Sequence, residues 1–298
     1  DAARQLVLRQ RGNARGKRLG LRIAHLLGHG GLDKRLKAGV PERLEDVLEL
    51  RGAGADVPPQ ENPGVQLGLA MGIAGLEGRD KVTLFASPDV ADFGAWAEQL
   101  IAESTGKDGK GLVPIEGETI GDAAVYGNDR FFIDLRTERE HDAAHEAKLA
   151  ALEAAGHPVV RIVMKSIDHI GQEFFRFEIA TAVAGSILGI NPFNQPDVEA
   201  AKIKTRELTA AFEKTGALPA EQPVVSADGV ELYTDAQNAE ELRKAGANGD
   251  LNSWIKAHLS RSGRGDYVAL LAYIERDGDT IDAMQAMRLK LRDAKHLA

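Results

Sequence analysis

The chain has 298 residues, 43% of them hydrophobic and 28% charged, with 5% aromatic residues and no cysteine. It is long enough to bury a sizeable core, which aliphatic side chains and alanine must fill; the missing thiols exclude disulfides, a thiolate nucleophile and a thiolate metal site and permit a cytoplasmic location. The net charge of −8 is uneven: residues 1–39 hold ten Lys/Arg against two Asp and stand at +8, leaving −16 for the remainder.

That basic arm opens the chain. A positive segment on an acidic body could bind nucleic acid or a membrane surface. No RNA-binding motif or aromatic platform accompanies it, so a solvated leader is the plainer reading and nucleic acid is not expected as a partner. No apolar stretch approaches the roughly 18 residues of a membrane helix, and no apolar segment with a small-residue cleavage site marks a secretory signal. The sequence starts without Met, as a chain that begins mid-protein would. We expect residues 1–58 to form a basic, helical N-terminal segment and 59–298 the main domain, with the Pro-containing loop ADVPPQENPG (55–64) marking the boundary.

Beyond that loop, KVTLFAS (81–87) reads as the first buried parallel strand. Ser87 sits at its carboxyl end, where a helix N-terminus can hold phosphate or where a serine can serve as a plain N-cap. The helical pattern over 89–104 puts Gln99 and Glu103 on one face, four residues apart. A carboxylate there can shuttle a proton to a small polyol, or the face can simply be solvated. GKDGKG (106–111) fails the phosphate-loop pattern, because Asp108 follows Lys107 where Ser or Thr is required.

RFFIDLR (130–136) reads as the second strand, and TEREHDAAHEAKLAALEAAG (137–156) as a helix that Gly156 stops. His141 and His145 are spaced like a zinc-protease pair, but Asp142 stands where the glutamate base is needed, and the polarity of the segment points to a solvated face. PVVRIVM (158–164) is the third strand. The apolar run that follows, from 166 to 188, carries Ala180, Ala182, Ala184 and Gly185, which imply close contact with a neighbouring helix.

After the loop INPFNQPD, a helix over 195–216 has Pro196 in its first turn. Asn194 or Gln195 could cap it, and Lys202 lies about two turns in. Residues 217–265 are less regular, with a small hairpin at 224–235 and two short helices around an Asn-Gly turn. DYVALLAYI (266–274) reads as the fourth strand, and 280–297 as the last helix. Strands alternating with helices predict an α/β fold, a three-layer sandwich around a mostly parallel sheet. In such a sheet ligands sit at the carboxyl ends of strands, here the loops after 87, 136, 164 and 274. No nucleophile elbow and no dinucleotide glycine fingerprint is present.

FNQPDVEAAK (193–202) resembles the phosphoglucose isomerase signature Phe-Asp-Gln-x-x-Val-Glu-x-x-Lys. EQLIAESTGK (98–107) resembles the Gln-x-x-x-Glu-Ser-x-Gly-Lys segment of the same family. ENPG, GRDKVTLFASP and YGNDRFFIDLR are similar to the isomerase half of bifunctional transaldolase/phosphoglucose isomerases, and the resemblance runs from about residue 60 to the C-terminus. It implies a sugar isomerase (SIS) domain over 59–298 that interconverts glucose 6-phosphate and fructose 6-phosphate through an enediol, with no metal or nucleotide cofactor. By the same resemblance Glu103 is the base between C1 and C2, Lys202 assists ring opening, and Gln195 contacts the substrate. Gln99 and Ser87 complete the expected substrate-binding set.

The resemblance has gaps. Asn194 replaces the usual Asp of the signature, and Asp129 stands near where the ring-opening histidine belongs, as its candidate replacement. The family's second SIS domain, with its phosphate-gripping Ser/Thr cluster, and the transaldolase half with its Schiff-base lysine are not recognisable. The chain therefore reads as a fragment, or a relative cut down to one SIS domain. Its implied partners are a sugar phosphate and either a second copy or a second SIS domain. A non-catalytic sugar-phosphate-binding SIS module is the alternative.

Overall fold

The computed structural model describes residues 7–10, 57–227 and 229–298; most of the basic arm lies outside the described residues. The chain divides into two compact units. The larger comprises the described residues from 57 up to Gln195, together with Arg264–Ala298. The smaller comprises Pro196–Gly263 and strand β1 (Val7–Gln10). Val7–Gln10, within the segment expected to be helical, thus form a strand.

In the larger unit the polypeptide starts with helix α1 (Pro63–Leu76). The Asn62 side chain accepts hydrogen bonds from the Gly64 and Val65 amides at 3.0 and 3.1 Å, and Pro63 supplies a preset first turn. Four parallel strands follow in spatial order β3-β2-β4-β5: β2 (Lys81–Ala86), β3 (Val113–Ile115), β4 (Arg130–Thr137) and β5 (Val159–Met164). Helices α2 (Asp92–Thr105), α3 (Ala143–Ala154) and α4 (Ile170–Leu188) connect or follow them, and α8 (Gly278–Lys295) closes the unit. On one face of the sheet Leu84, Ile133 and Leu135 pack against Met71 of α1, Ile101 of α2 and Phe177 of α4. On the other face Phe85 and Phe132 pack against Leu149 and Leu152 of α3. The result is α/β with three layers, helices on both sides of a parallel sheet.

The small residues of α4 meet glycines. A Cβ added at Gly68 of α1 would lie 2.6 Å from the Ala180 carbonyl oxygen, and Gly64 and Gly72 stand similarly close to Ile179 and Ile187. The two backbones approach as only glycine allows. Helix α1 and strand β3 carry no strong sequence signal. α1 is apolar on every side and shows no 3.6-residue stripe. β3 is an edge strand of three residues that holds Pro114, tolerable there because an edge leaves one side of the ladder free.

The fourth expected strand does not form. Residues 266–274 are irregular, and Tyr267, Leu271, Tyr273 and Ile274 are exposed. β-rich composition makes a strand only where a pleated surface receives it, and neither β3 nor β5 pairs with this segment.

The smaller unit contains helix α5 (Pro196–Thr215), then β6 (Val225–Ala227) and β7 (Val230–Tyr233), the expected hairpin. β1 pairs antiparallel with β7, in register Val7 to Tyr233. Helices α6 (Ala236–Lys244) and α7 (Leu251–Ser260) are the two short helices. A core of Leu232, Leu242 and Trp254 holds them together. No described helix is long and apolar enough to cross a membrane.

Candidate active site

The site is built where α2 ends. Helix α2 leaves the carboxyl end of β2 and returns to its amino end, as the Thr105 contacts show. Thr105 Oγ1 donates to the Ile101 carbonyl at 2.8 Å and accepts from the Leu112 amide at 2.9 Å, and the next amide, Val113, donates to the Asp80 carbonyl just before β2. Asp108, Gly109 and Gly111 take positive φ values of 56°, 69° and 130°. A Cβ at Gly111 would sit 2.7 Å from the Thr105 carbonyl oxygen, so the glycines fold this loop tightly onto the helix end.

Helix α4 ends at the same edge of the sheet. Gly189 adopts the left-handed conformation (φ 68°) that terminates it. Lys110 Nζ donates to the Leu188 carbonyl at 3.1 Å, a cation at the negative end of the helix. Lys107 reaches further. It is 5% exposed, and its ammonium donates to the carbonyls of Asn191, at 3.0 Å, and of Asn194. A buried ammonium needs such partners, and here they fix the 190–195 loop.

The fixed loop delivers Gln195 to Glu103. Gln195 Nε2 donates to Glu103 Oε1 at 3.2 Å, joining two segments 92 residues apart. Glu103 is exposed, as is Gln99 one turn before it on the same helix face. Phe193, in the same loop, is 82% exposed. One side of the Glu103 carboxylate is thus held by an amide and the other faces water.

The remaining sequence-derived candidates lie elsewhere. Ser87 is at the carboxyl end of β2, so the 14-residue helix α2 separates it from Glu103 by about 20 Å. It occupies the N-cap position of a single 3₁₀ turn but makes no capping bond. Its hydroxyl donates to Asp89 Oδ1, and Thr137 donates to Asp89 Oδ2 at 2.6 Å. Burial alone would raise the Asp89 carboxyl, but these hydroxyls, together with a backbone amide and the nearby Arg139 charge, outweigh it and hold the group below its usual range. Asp129 lies just before β4, with Oδ2 3.6 Å from Lys81 Nζ and Oδ1 without a hydrogen bond. Lys202 belongs to the smaller unit, on α5, where its ammonium pairs with Glu199 at 3.1 Å.

The two histidines depart from expectation. His141 precedes α3, so the pair does not share a helix face. His145 is only partly exposed: its Nε2 lies 2.7 Å from Asp134 Oδ1, and Asp134 is nearly fully buried. Among the described residues no group of three or more His, Asp or Glu is placed to hold a metal ion. Sequence reasoning missed the position of Lys107. Its place in the Glu-Ser-x-Gly-Lys segment was the available signal.

No family model matches the chain. It is similar to curated proteins named glucose-6-phosphate isomerase. That of Lactobacillus delbrueckii subsp. bulgaricus is 30% identical over 165 residues, 43% of this chain and 36% of that protein. That of Rubrobacter xylanophilus is 32% identical over 212 residues, 58% and 47% of the two chains. A probable glucose-6-phosphate isomerase of Halobacterium salinarum is 32% identical over 149 residues, 39% and 35%. Among solved structures, a hypothetical protein of Thermus thermophilus is similar with a TM-score of 0.46 and 20% identity, covering 55% of this chain and 50% of that one. The chain spans between about a third and a half of the length of the curated relatives it matches.

Proposed function

We propose that the chain is an aldose–ketose isomerase, or the catalytic half of one, that interconverts glucose 6-phosphate and fructose 6-phosphate. The observation that carries this reading is the hydrogen bond from Gln195 to Glu103, with Lys107 fastening the loop between them. The two stretches that resemble the isomerase family meet side chain to side chain.

In this mechanism the Glu103 carboxylate takes the proton from C2 of the open-chain aldose. The C2–H electron pair forms the C1=C2 bond, and the charge moves to the C1 oxygen. Glu103 then delivers to C1 a proton that has access to exchange with water at this exposed carboxyl, while the proton of the C2 hydroxyl passes to the C1 oxygen, leaving the carbonyl at C2. A positioned carboxylate contributes on the order of a hundredfold or more to such a transfer. Gln195 orients the carboxylate and contacts the sugar, Gln99 lines the same face, and Lys202 assists ring opening. Asp129 replaces the histidine of the ring-opening step; Ser87, about 20 Å from Glu103 at the other end of α2, lies beyond the reach of a hexose phosphate bound there and takes no part. The domain is of SIS type, related to the isomerase half of transaldolase fusions and acting in glycolysis and gluconeogenesis in the cytoplasm.

A base that moves a carbon-bound proton works best when water is excluded. The exposed carboxylate and the exposed Phe193 beside it call for a cover, which a second SIS domain or a second copy of the chain supplies in this reading. The same exposure favours the second reading, a module that binds sugar phosphate without turning it over. A coupled assay converting fructose 6-phosphate to glucose 6-phosphate separates the two. Turnover by the purified chain supports the isomerase. Saturable binding of 5-phosphoarabinonate, an enediolate mimic, without turnover establishes the module in its place.

A further inference from the structure

At the carboxyl ends of the strands, away from Glu103, an open cleft of about 420 Å³ is lined by Phe85 and Ala86 of β2, Gly94 of α2, Thr119, and His145 and Lys148 of α3. We propose that this cleft is a second ligand site, which binds the oxyanion of a small molecule between His145 and Lys148. The volume lies within the range of small-molecule pockets.

The groups in it are arranged rather than scattered. Asp134 projects from β4 into the otherwise apolar layer of Phe85, Phe132 and Leu149, and its side chain is 3% exposed. Burying a carboxylate in such a layer is costly unless it is partnered. Its Oδ1 accepts from His145 Nε2 at 2.7 Å, while its Oδ2 accepts no hydrogen bond and has Arg136 Nε 3.6 Å away. The imidazole is further fixed by the edge-on ring of Phe85, with centroids 5.7 Å apart. With Nε2 committed to Asp134, Nδ1 has no hydrogen bond among the described residues and is the atom left for a ligand. Lys148, one turn along α3, donates to the Ile120 carbonyl at 3.0 Å and keeps two ammonium hydrogens.

The acidic groups of the lining are already engaged. Glu118 lies 3.6 Å from Arg130 and 3.3 Å from Arg292, and Asp142 Oδ1 accepts from the Ala144 and His145 amides as the N-cap of α3. Asp142, exposed at the cap of α3, keeps its negative charge, and the group of the cleft with donors still free is the Lys148 ammonium. A phosphoryl or carboxylate group is the chemistry that matches it, with a charge-assisted bond from Lys148 and a hydrogen bond at Nδ1 of the His145 ring. The start of α3 adds a favourable dipole. This site is independent of the isomerase reading, since none of its residues belongs to the Glu103 cluster.

The test is an NMR titration of the ¹³C-labelled histidine rings of the full chain with inorganic phosphate and, separately, with acetate. A saturable shift of the His145 ring in either arm supports the site. Phosphate alone identifies a phosphoryl ligand and acetate alone a carboxylate. Lys148→Met should weaken the response about tenfold or more. His145→Gln, followed by calorimetry, should remove the binding; if that variant does not fold, the Lys148→Met titration decides. Absence of a saturable shift in both arms, or full affinity in Lys148→Met, overturns the proposal and leaves the Asp134–His145 pair a structural contact.

Discussion

The two ends of the parallel sheet carry different chemistry. At the amino end, α2 and α4 both finish, and Glu103, Lys107 and Gln195 are drawn together by contacts between residues some 90 positions apart. At the carboxyl end, where ligands usually sit in open α/β sheets, Ser87 is tied to Asp89 and a separate cleft is lined by His145 and Lys148. Motif resemblance and the general rule for sheets thus point to opposite ends. The difference shows that a residue late in a connecting helix belongs to the far side of the sheet from a residue at that helix's start.

Removing the base of the amino-end cluster should have the greatest consequence. Glu103→Gln keeps the shape and a hydrogen-bonding amide but removes the proton acceptor, so the turnover number in the coupled assay should fall on the order of a thousandfold. Lys107→Met strips the ammonium that fastens the Asn191 and Asn194 carbonyls and frees the loop bearing Gln195. The catalytic efficiency should drop by about a hundredfold, the effect expected of a misplaced substrate contact. Thr105→Val leaves the buried Leu112 amide without its acceptor, which should cost about 2 kcal/mol in urea unfolding.

Substitutions outside the cluster should do less. Lys202→Ala should slow conversion of the cyclic sugar several-fold more than that of open-chain substrate; equal losses would remove its ring-opening role. Glu173, in the first turn of α4, is buried and belongs to neither the Glu103 cluster nor the His145 cleft, and burial pushes its carboxyl above the usual range, with Arg176 opposing. The folded state then holds a proton that the unfolded chain has released, so stability falls as pH rises upward from the ordinary carboxylate value. Glu173→Gln should flatten that slope and raise the melting temperature at neutral pH, with little change in acid.

Much of the layered fold was legible. The strands at 81–87, 130–136 and 158–164 formed because their runs are rich in apolar, β-forming residues, and the hairpin at 224–235 formed with Gly229 at positive φ in its turn. Helix α1 was not legible, because its glycines serve the close approach to α4 and its apolar residues face every direction. Residues 266–274 misled because composition reports fitness for a sheet surface and not the presence of one. The proximity of Glu103 and Gln195 could be expected from the two motifs together. The burial of Lys107 could not, since it depends on the turn of α4 at Gly189. His145 was misread because the acidic partner that orders it comes from the neighbouring strand, not from its own helix.

Whether the Glu103 carboxylate moves a hydrogen between C1 and C2 of a hexose phosphate is decided by isotope exchange. Glucose 6-phosphate is incubated in D₂O with the chain or with its Glu103→Gln variant and followed by proton NMR. Deuterium should enter C2 with the unaltered chain, and none above background should enter with the variant. Equal incorporation by both proteins would contradict the role given to Glu103.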